Sequence, residues 1–295
     1  MFDDTEMRQT LQECLRRVPD LRRYGQKFQK ATANLRDLVA LYDFVRQLPN
    51  ILDAFEGHDG GHGALLEEAF VGTLRDVQGK FAKFTDMVEA SVDMEMLAHG
   101  KYFINARFDI VLSALKETMD EVQGDIDGHY SDCMRDIGLT AKQLHLEEKD
   151  GKDKEKGFVY RVSRKDESKI RNKGQYEVLQ TKKAGVIFTT RELKHFNRKY
   201  NAAAADYERS QGDLEHRAME IAATYAPVLE RAERVLAELD VLVAFAAVGV
   251  NAPTPYVRPK MKECGSGEVH LKACRHPCVE VMIPHRPSRE EQPAS

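Results

Sequence analysis

The residues best placed to do chemistry are lysines and arginines gathered between positions 151 and 200. This stretch holds 15 Lys/Arg against six Asp/Glu, a net charge of +9, whereas the rest of the chain carries −13 and the whole chain −4. Dense cations of this kind neutralise phosphates and give an affinity that falls with salt, without reading bases. The candidate phosphate contacts are Arg161, Lys165, Lys169, Arg171, Lys173, Lys182 and Lys183.

The competing interpretation of these cations is a solvated charged face on an ordinary domain, and charge alone leaves both interpretations open. Alternate side chains of a strand point to opposite faces, so only some of these lysines are expected to reach a partner. Arg161 has a second expected role, an ion pair with an acidic residue of a neighbouring helix.

The cysteines and histidines give weaker signals. Five cysteines, an odd number, and no secretory signal predict reduced thiols in an intracellular protein. Cys274 and Cys278, with Cys264 nearby, lack paired zinc knuckles, so we expect buried thiols in strands and no metal site. His58 and His62 lie in a glycine-rich stretch that predicts a surface loop.

No apolar run reaches about 18 residues, so no membrane span is expected.

Heptad-like stripes of apolar residues predict the elements that position the basic stretch. The first stripe runs from Leu21 to Val45 and is expected to end at Pro49. Two more cover 74–88 and 108–126. A fourth, from Leu214 to Ala246, predicts a helix of about 50 residues, roughly 75 Å long at 1.5 Å per residue. Pro227 lies inside it and should kink it or break it in two.

Between these helices the pattern changes to the alternation of strands. Phe158–Val162 and 176–181 are predicted strands, and 183–189 is predicted as a turn leading into a third. The polar segment 146–157 is predicted to be a flexible linker. The predicted fold is therefore mainly α, with long helices and a small antiparallel β insertion at their tip.

The last part of the chain predicts a further region with strands. Residues 252–259 contain three prolines and read as extended or turn-like. Residues 268–273 and 278–282 alternate as strands do. The polar, proline-bearing residues 284–295 are predicted to be disordered.

Five runs of sequence resemble those of the MutS mismatch-repair family, above all its eukaryotic MutS homologue 2 branch. They are 11–21, Phe158–Val162, 185–189, 252–259 and 275–280, of which the last two are the most specific. The resemblance covers nearly the whole chain, apart from 146–157 and the tail after about 283.

The resemblance implies a domain assignment. Residues 1–145 would be core and lever helices, 146–199 a basic β clamp across the DNA backbone, and 200–248 a returning lever helix. Residues 252–283 would be the first, β-rich strands of an α/β ATPase domain that is truncated here, before the disordered tail 284–295. Arg275, His276 and Pro277 would then lie near the nucleotide pocket, although a plain turn between strands is an equally good interpretation.

The resemblance also implies partners and a location. These are duplex DNA, a sister MutS homologue as heterodimer partner, a MutL-type protein and the nucleus. ATP and magnesium are expected only in the intact protein, because the 295 residues contain no Gly-x-x-x-x-Gly-Lys-Ser/Thr loop. We expect no catalysis by this chain and regard it as a fragment or a truncated gene model.

Two alternatives come from other classes of protein. One is a helical coiled-coil scaffold that binds proteins and not DNA, for which salt-dependent duplex binding is the discriminating test. The other is a complete ATPase, which a phosphate-binding loop encoded just beyond Ser295 would indicate.

Overall fold

The computed structural model describes residues 1–56, 61–149, 157–171, 173–252, 255–265, 267–272, 274–276 and 278–279. The chain forms two compact units. Unit 1 comprises Met1–Val18, Gln47–Arg75 and Ala232–Ser295, and unit 2 comprises Pro19–Arg46 and Asp76–Arg231.

The described residues are mainly helical, as predicted. Their α-helices are α1 Thr5–Leu15, α2 Leu21–Gln29, α3 Leu35–Glu56, α4 Gly63–Leu66, α5 Gly72–Ser91, α6 Met94–Ala98, α7 Ile110–Ile137, α8 Glu167–Arg171, α9 Arg191–Ala223 and α10 Ala226–Val250. Short π and 3-10 turns lie at Glu67–Val71, Ala106–Phe108 and Arg164–Asp166. The strands are β1 Leu144–Lys149, β2 Gly157–Val162, β3 Tyr176–Lys182 and β4 Gly185–Thr190.

The first apolar stripe forms two helices and not one. Ala31 adopts a φ of 52°, a left-handed conformation that interrupts helical hydrogen bonding between α2 and α3. The α3 start is fixed by a reciprocal cap: Asn34 Oδ1 accepts from the Asp37 N–H, and Asp37 Oδ2 accepts from the Asn34 N–H. The Asp37 carboxylate also pairs with Lys27 at 2.6 Å, which joins the two helices.

Pro49 does not end α3, so that prediction is wrong. The helix continues to Glu56 with Pro49 inside it. Its apolar face continues as well, because Leu48 and Ile51 on either side of the proline are fully buried. Burial of such side chains contributes about 1.5–3 kcal/mol each, enough to offset the single backbone hydrogen bond that proline removes.

The predicted long fourth helix is broken in two at Pro227, into α9 and α10. Of the two predicted effects of this proline, a kink or a break, the break is confirmed. The break falls at Thr224 and Tyr225, whose N–H groups bond to carbonyls three residues back. Within unit 2 the Tyr225 ring stacks on Phe81 at 5.3 Å and meets Phe84 edge-on at 5.4 Å. Aromatic packing therefore holds Tyr225 of the break against α5.

Unit 1 has its own apolar contacts. The rings of Phe55 and Phe70 stack at 6.3 Å. Arg8 of α1 is almost fully buried, and its guanidinium donates to the carbonyls of Met1 and Phe2 at 2.9 Å each. Those two hydrogen bonds hold the start of the chain against α1.

The C-terminal strands are absent from the described residues. Described residues 268–272 and 278–279 form no strand, which makes both strand predictions wrong there; Ala273 and 280–282 lie outside the described residues. A strand requires a partner for its N–H and C=O groups, and the described part of 252–279 supplies none. The predicted disordered tail 284–295 and His58 also lie outside the described residues.

Candidate nucleic-acid interface

The basic stretch folds as a four-stranded antiparallel sheet in the order β1-β2-β4-β3. All three predicted strands are confirmed. The prediction of a linker at 146–157 is wrong at both ends, because 144–149 form β1 and Gly157 begins β2; residues 150–156 lie outside the described residues. β1 was missed because Leu-His-Leu-Glu-Glu-Lys is polar, and only its pairing with β2 makes it a strand.

One face of the sheet packs on helices. Its central side chains are Tyr160 and Phe188, which lie opposite each other in the β2–β4 pair and are fully buried. They share a core with Ile126 of α7, Leu193 of α9 and Ile170 of α8. This core anchors the sheet to the helices on which it sits.

The other face of the sheet can be read from the register. Arg161 lies opposite Ile187, Glu177 opposite Thr189, and Lys182 opposite Gly185. Because directly paired residues share a face, these side chains point away from the helical core. A β-bulge between Val178 and Gln180 shifts the alternation by one residue. The bulge therefore places both Glu177 and Lys182 on this outer face, although they are an odd number of positions apart.

Near the start of β3, four polar side chains are joined by hydrogen bonds. We call Asp136, Lys173, Gln175 and Tyr176 the basal network. The Asp136 carboxylate accepts from Lys173 at 2.8 Å, from Gln175 at 2.8 Å and from the Tyr176 hydroxyl at 2.5 Å. The hydrogen bonds from Lys173 and Tyr176 lower the pKa of Asp136, and burial raises the pKa of Tyr176.

A second polar group lies between α7 and the start of α9. Thr190 caps α9, its Oγ1 accepting from the Leu193 N–H, and it also bonds to His129 Nε2 at 2.7 Å. His129 Nδ1 lies 3.2 Å from a Glu192 carboxylate oxygen. Burial raises the pKa of the neighbouring Cys133 thiol to about 11, so this thiol is protonated near neutral pH. These contacts secure the sheet-to-helix connection.

Four of the seven predicted phosphate contacts already have acidic partners. Arg161 Nε donates to Glu147 at 2.6 Å, so its partner is a residue of β1 and not of a helix as expected. Lys169 pairs with Asp166, Arg171 with Glu167, and Lys173 with Asp136, at 3.3, 3.1 and 2.8 Å. Their charge is largely compensated within the protein.

The other three, Lys165, Lys182 and Lys183, are exposed and form no ion pair with any described residue. Arg164 was not singled out from the sequence, yet its Nε donates to the Lys182 carbonyl at 3.1 Å. This bond brings the 3-10 turn Arg164–Asp166 against the β3–β4 hairpin. We call Arg164, Lys165, Lys182 and Lys183 the hairpin cluster. Adjacent cations at 164–165 and 182–183 were the only available sequence signal.

Gly185 makes the hairpin possible. Its φ is 143°, and a Cβ at this position would lie 2.3 Å from the Val162 carbonyl oxygen. Only glycine fits this close approach between β4 and β2. The hairpin cluster therefore depends for its position on Gly185, an uncharged residue that lets β4 approach β2.

Arg275 and His276 do not form a phosphate cradle. The Arg275 guanidinium donates to the Pro255 carbonyl at 3.2 Å and lies 5.3 Å from the Tyr256 ring centre. His276 Nδ1 accepts from the Val279 N–H at 3.4 Å, and Pro277 lies outside the described residues. Since these groups do not fit ATP and magnesium by themselves, we derive no nucleotide chemistry from them. Their place beside a nucleotide pocket stays a prediction.

The C-terminal cysteines are not the buried strand thiols that we expected. Cys264, Cys274 and Cys278 are exposed and carry free thiols. They lie in a segment without described strands, so no sheet covers them. In the part of the chain that is described, no three or more His, Cys, Asp or Glu side chains come together as metal ligands. The helices described there include none long and apolar enough to cross a bilayer.

The fold is that of a helical protein with a small basic β insertion. Residues 1–246 match MutS domain III, and the chain belongs to the MutS family. It is 37% identical to the DNA mismatch repair protein msh-2 of Neurospora crassa, over 95% of this chain and 30% of that protein. It is 36% identical to the DNA mismatch repair protein Msh2 of Dictyostelium discoideum, over the same shares of each chain.

Proteins from yeast and bacteria extend the similarity. The DNA mismatch repair protein MSH2 of Saccharomyces cerevisiae is 31% identical over 96% of this chain, and MutS of an Exiguobacterium species is 27% identical over 96%. The eukaryotic relatives share more identity with this chain than the bacterial ones do. The chain spans about 30% of the length of these relatives.

Proposed function

We propose that this chain is the DNA-clasping part of a mismatch-repair protein and that it grips the duplex backbone through the hairpin cluster. The observation that carries this proposal is the meeting of four exposed cations, drawn from two separate segments, without acidic partners in the described sheet. Cations that are not neutralised within the protein can displace counterions from DNA phosphates. The contact is independent of sequence because it involves no base edges.

The paired cations contribute less in this proposal. To bind phosphate, Lys169, Arg171 and Lys173 would have to leave carboxylates that already satisfy them. Exchanging one anion for another releases little free energy when both are solvent-exposed. The seven sequence candidates therefore separate into three that are free to grip DNA and four whose charge is paired within the protein.

The wider role follows from the family. We propose that 1–145 and 200–248 serve as core and lever helices, that 146–199 is the clamp, and that 252–283 leads into the ATPase domain. In the intact protein, ATP and magnesium would bind in that domain, a sister MutS homologue would be the heterodimer partner, and a MutL-type protein would be recruited. The nucleus is the proposed location, since the eukaryotic relatives are named DNA mismatch repair proteins.

The test is duplex binding followed by fluorescence anisotropy on a DNA of about 30 base pairs, between about 0.05 and 0.2 M salt. One variant removes the three lysines of the hairpin cluster through Lys165→Gln, Lys182→Gln and Lys183→Gln, and keeps Arg164. Its matched control neutralises three paired cations of the same region through Lys169→Gln, Arg171→Gln and Lys173→Gln. Both variants lose three positive charges, so any difference between them reports position and not net charge.

We expect the hairpin variant to lower the slope of log affinity against log salt by about 2.7, at about 0.9 per phosphate contact, and the control to lower it by much less. Circular dichroism checks that both variants remain folded. Equal losses in the two variants would refute the assignment to the hairpin cluster. A folded wild-type chain that does not bind at low salt would favour the protein-binding scaffold instead.

A further inference from the structure

We propose that a groove between the first turns of α9 and the outer face of the sheet is a second binding site for the DNA backbone, in which Arg191 and Arg198 hold phosphates. This inference rests on the proposed function and adds a contact surface that the sequence candidates did not include. Arg191, Lys194 and Arg198 lie at intervals of three and four residues, which places them on one side of α9.

The groove has a volume of about 510 Å³, and both apolar and cationic side chains line it. Val159 and Leu179 are among the apolar ones, and Arg191, Lys194 and Arg198 of α9 are the cationic ones. Val159 is buried although it belongs to the face of the sheet that points away from the helical core. Leu179 is the unpaired residue of the β-bulge in β3, and its side chain lines the groove.

The charge within the groove is only partly compensated. Glu177 is its one acidic lining residue and pairs with Lys194 at 2.6 Å. Arg191 and Arg198 have no ion-pair partner in the described part of the chain. Two guanidinium groups are therefore left to act on a ligand, with Lys194 held across the groove by its ion pair.

Arg191 also borders a neighbouring cavity whose lining includes Asp132, Asp136 and Glu192. None of these carboxylates forms an ion pair with Arg191, and Asp136 is occupied by the basal network. Glu192 faces His129 instead. Arg191 is therefore available to the cationic groove.

Two properties favour a phosphate backbone over a single small anion. Arg191 and Arg198 are seven residues apart, about 10 Å along the helix at 1.5 Å per residue, so they can reach two separate charges of a polymer but not one small anion. Guanidinium groups donate in a planar fork that matches phosphate oxygens.

The groove lies on the same face of the sheet as Lys182 of the hairpin cluster. Glu177 and Lys182 lie on the same face of β3, five positions apart, which is about 17 Å along a strand. A duplex held at the hairpin cluster and laid along this face would bring its backbone to the groove. The two sites then act on one DNA molecule.

The experiment uses the whole 295-residue chain and the duplex of about 30 base pairs described above. The variant is Arg191→Gln with Arg198→Gln. The matched control is Arg217→Gln with Arg234→Gln, two exposed arginines on α9 and α10 that also form no ion pair with described residues. A second variant, Arg191→Lys with Arg198→Lys, retains the charge.

We expect the glutamine variant to lower the salt slope by about 1.8 and the affinity near 0.1 M salt by about tenfold or more, at about 0.9 of slope per contact. The lysine variant should keep the slope near that of the wild type. The control pair should change the slope by less than half as much. A glutamine variant whose slope matches the control overturns the inference.

Two further outcomes separate this inference from the proposed function. If the hairpin variant loses binding and the groove variant does not, the clamp assignment stands and the groove is not a DNA site. If the wild-type chain does not bind the duplex, the proposed function and the groove site are both refuted. Loss of binding to poly-glutamate but not to DNA in the groove variant would identify an acidic peptide as the ligand and overturn the phosphate assignment.

Discussion

At the helical end of the sheet Asp136 accepts from Lys173, Gln175 and Tyr176, whereas at the hairpin end Lys182 and Lys183 have no ionic partner among described residues. The two ends belong to one small sheet, and lysines are present at both. The first end uses its charges for the protein's own stability, and the second leaves them available. The difference shows that, within a basic patch, cations with acidic partners must be distinguished from cations without them before a function is assigned.

The largest expected effect is on stability, and it tests the packing of the sheet against the helices. Phe188→Ala removes a fully buried ring that lies 5.5 Å from Tyr160 and 5.4 Å from Tyr176, measured between ring centres. We expect a loss of about 3–5 kcal/mol in the free energy of unfolding, because the ring leaves a cavity in a packed core. Urea unfolding followed by tyrosine fluorescence measures it. Val178→Ala, opposite Phe188 on the edge strand and partly exposed, should cost less than about 1 kcal/mol.

The next effect tests the backbone that holds the hairpin. Gly185→Ala would place a Cβ 2.3 Å from the Val162 carbonyl oxygen at a φ of 143°. We expect a loss of about 1–3 kcal/mol from the strained backbone, and more if β2 must shift. Gly174→Ala is the control, since a Cβ there meets nothing within 4 Å. Similar urea midpoints for the two alanine variants would contradict this account of the hairpin.

A smaller effect tests the basal network through pH. The Lys173 hydrogen bond, followed by that of Tyr176, holds the pKa of Asp136 below its ordinary value of 3.8. A carboxyl whose pKa is lowered by folding stabilises the protein above the unfolded pKa, and this contribution is lost as the pH falls through the folded pKa. Asp136→Asn should therefore lower the urea midpoint at neutral pH. The gap to the wild type should narrow once the pH drops below 3.8. A constant gap at all pH values would show that the charge of Asp136 is not responsible.

The smallest expected effect concerns the hairpin cluster. Replacing Lys165, Lys182 and Lys183 by glutamine should change the free energy of unfolding by no more than about 0.5 kcal/mol, since exposed residues without partners contribute little. The thermal midpoint of the variant against the wild type checks this. A clear destabilisation would remove the contrast between the two ends of the sheet, because these lysines would then be structural as well.

Much of the fold could be predicted from the sequence where local periodicity decides. Leu74, Val77, Phe81, Phe84 and Val88 form the buried stripe of α5, as their spacing indicates. The apolar runs of β2 and β4 predicted two strands correctly, and these are the most buried strands of the sheet. Local pattern failed for β1, whose polar residues become a strand only through their pairing with β2.

The candidate site was predictable as a region and not as a set of contacts. The excess of Lys/Arg identified the sheet, yet a charge count does not show which cations have acidic partners. Lys169 and Arg171 pair with local carboxylates, whereas other pairs join segments distant in sequence. Lys173 and Asp136 are 37 positions apart, and Lys194 reaches Glu177 from another element. The groove arginines were part of the charge count but carried no signal of their own.

By itself, the sequence determined the long helices, the three principal strands and the position of the excess charge, because periodicity and charge are local properties that need no knowledge of neighbours. Only the tertiary structure decided that the first apolar stripe forms two helices, α2 and α3, and that α3 continues past Pro49. It alone also separated the cations that stabilise the protein from those left for a ligand. Those outcomes depend on burial and on ion pairs, of which Arg161–Glu147 and Lys173–Asp136 join segments that meet only after folding.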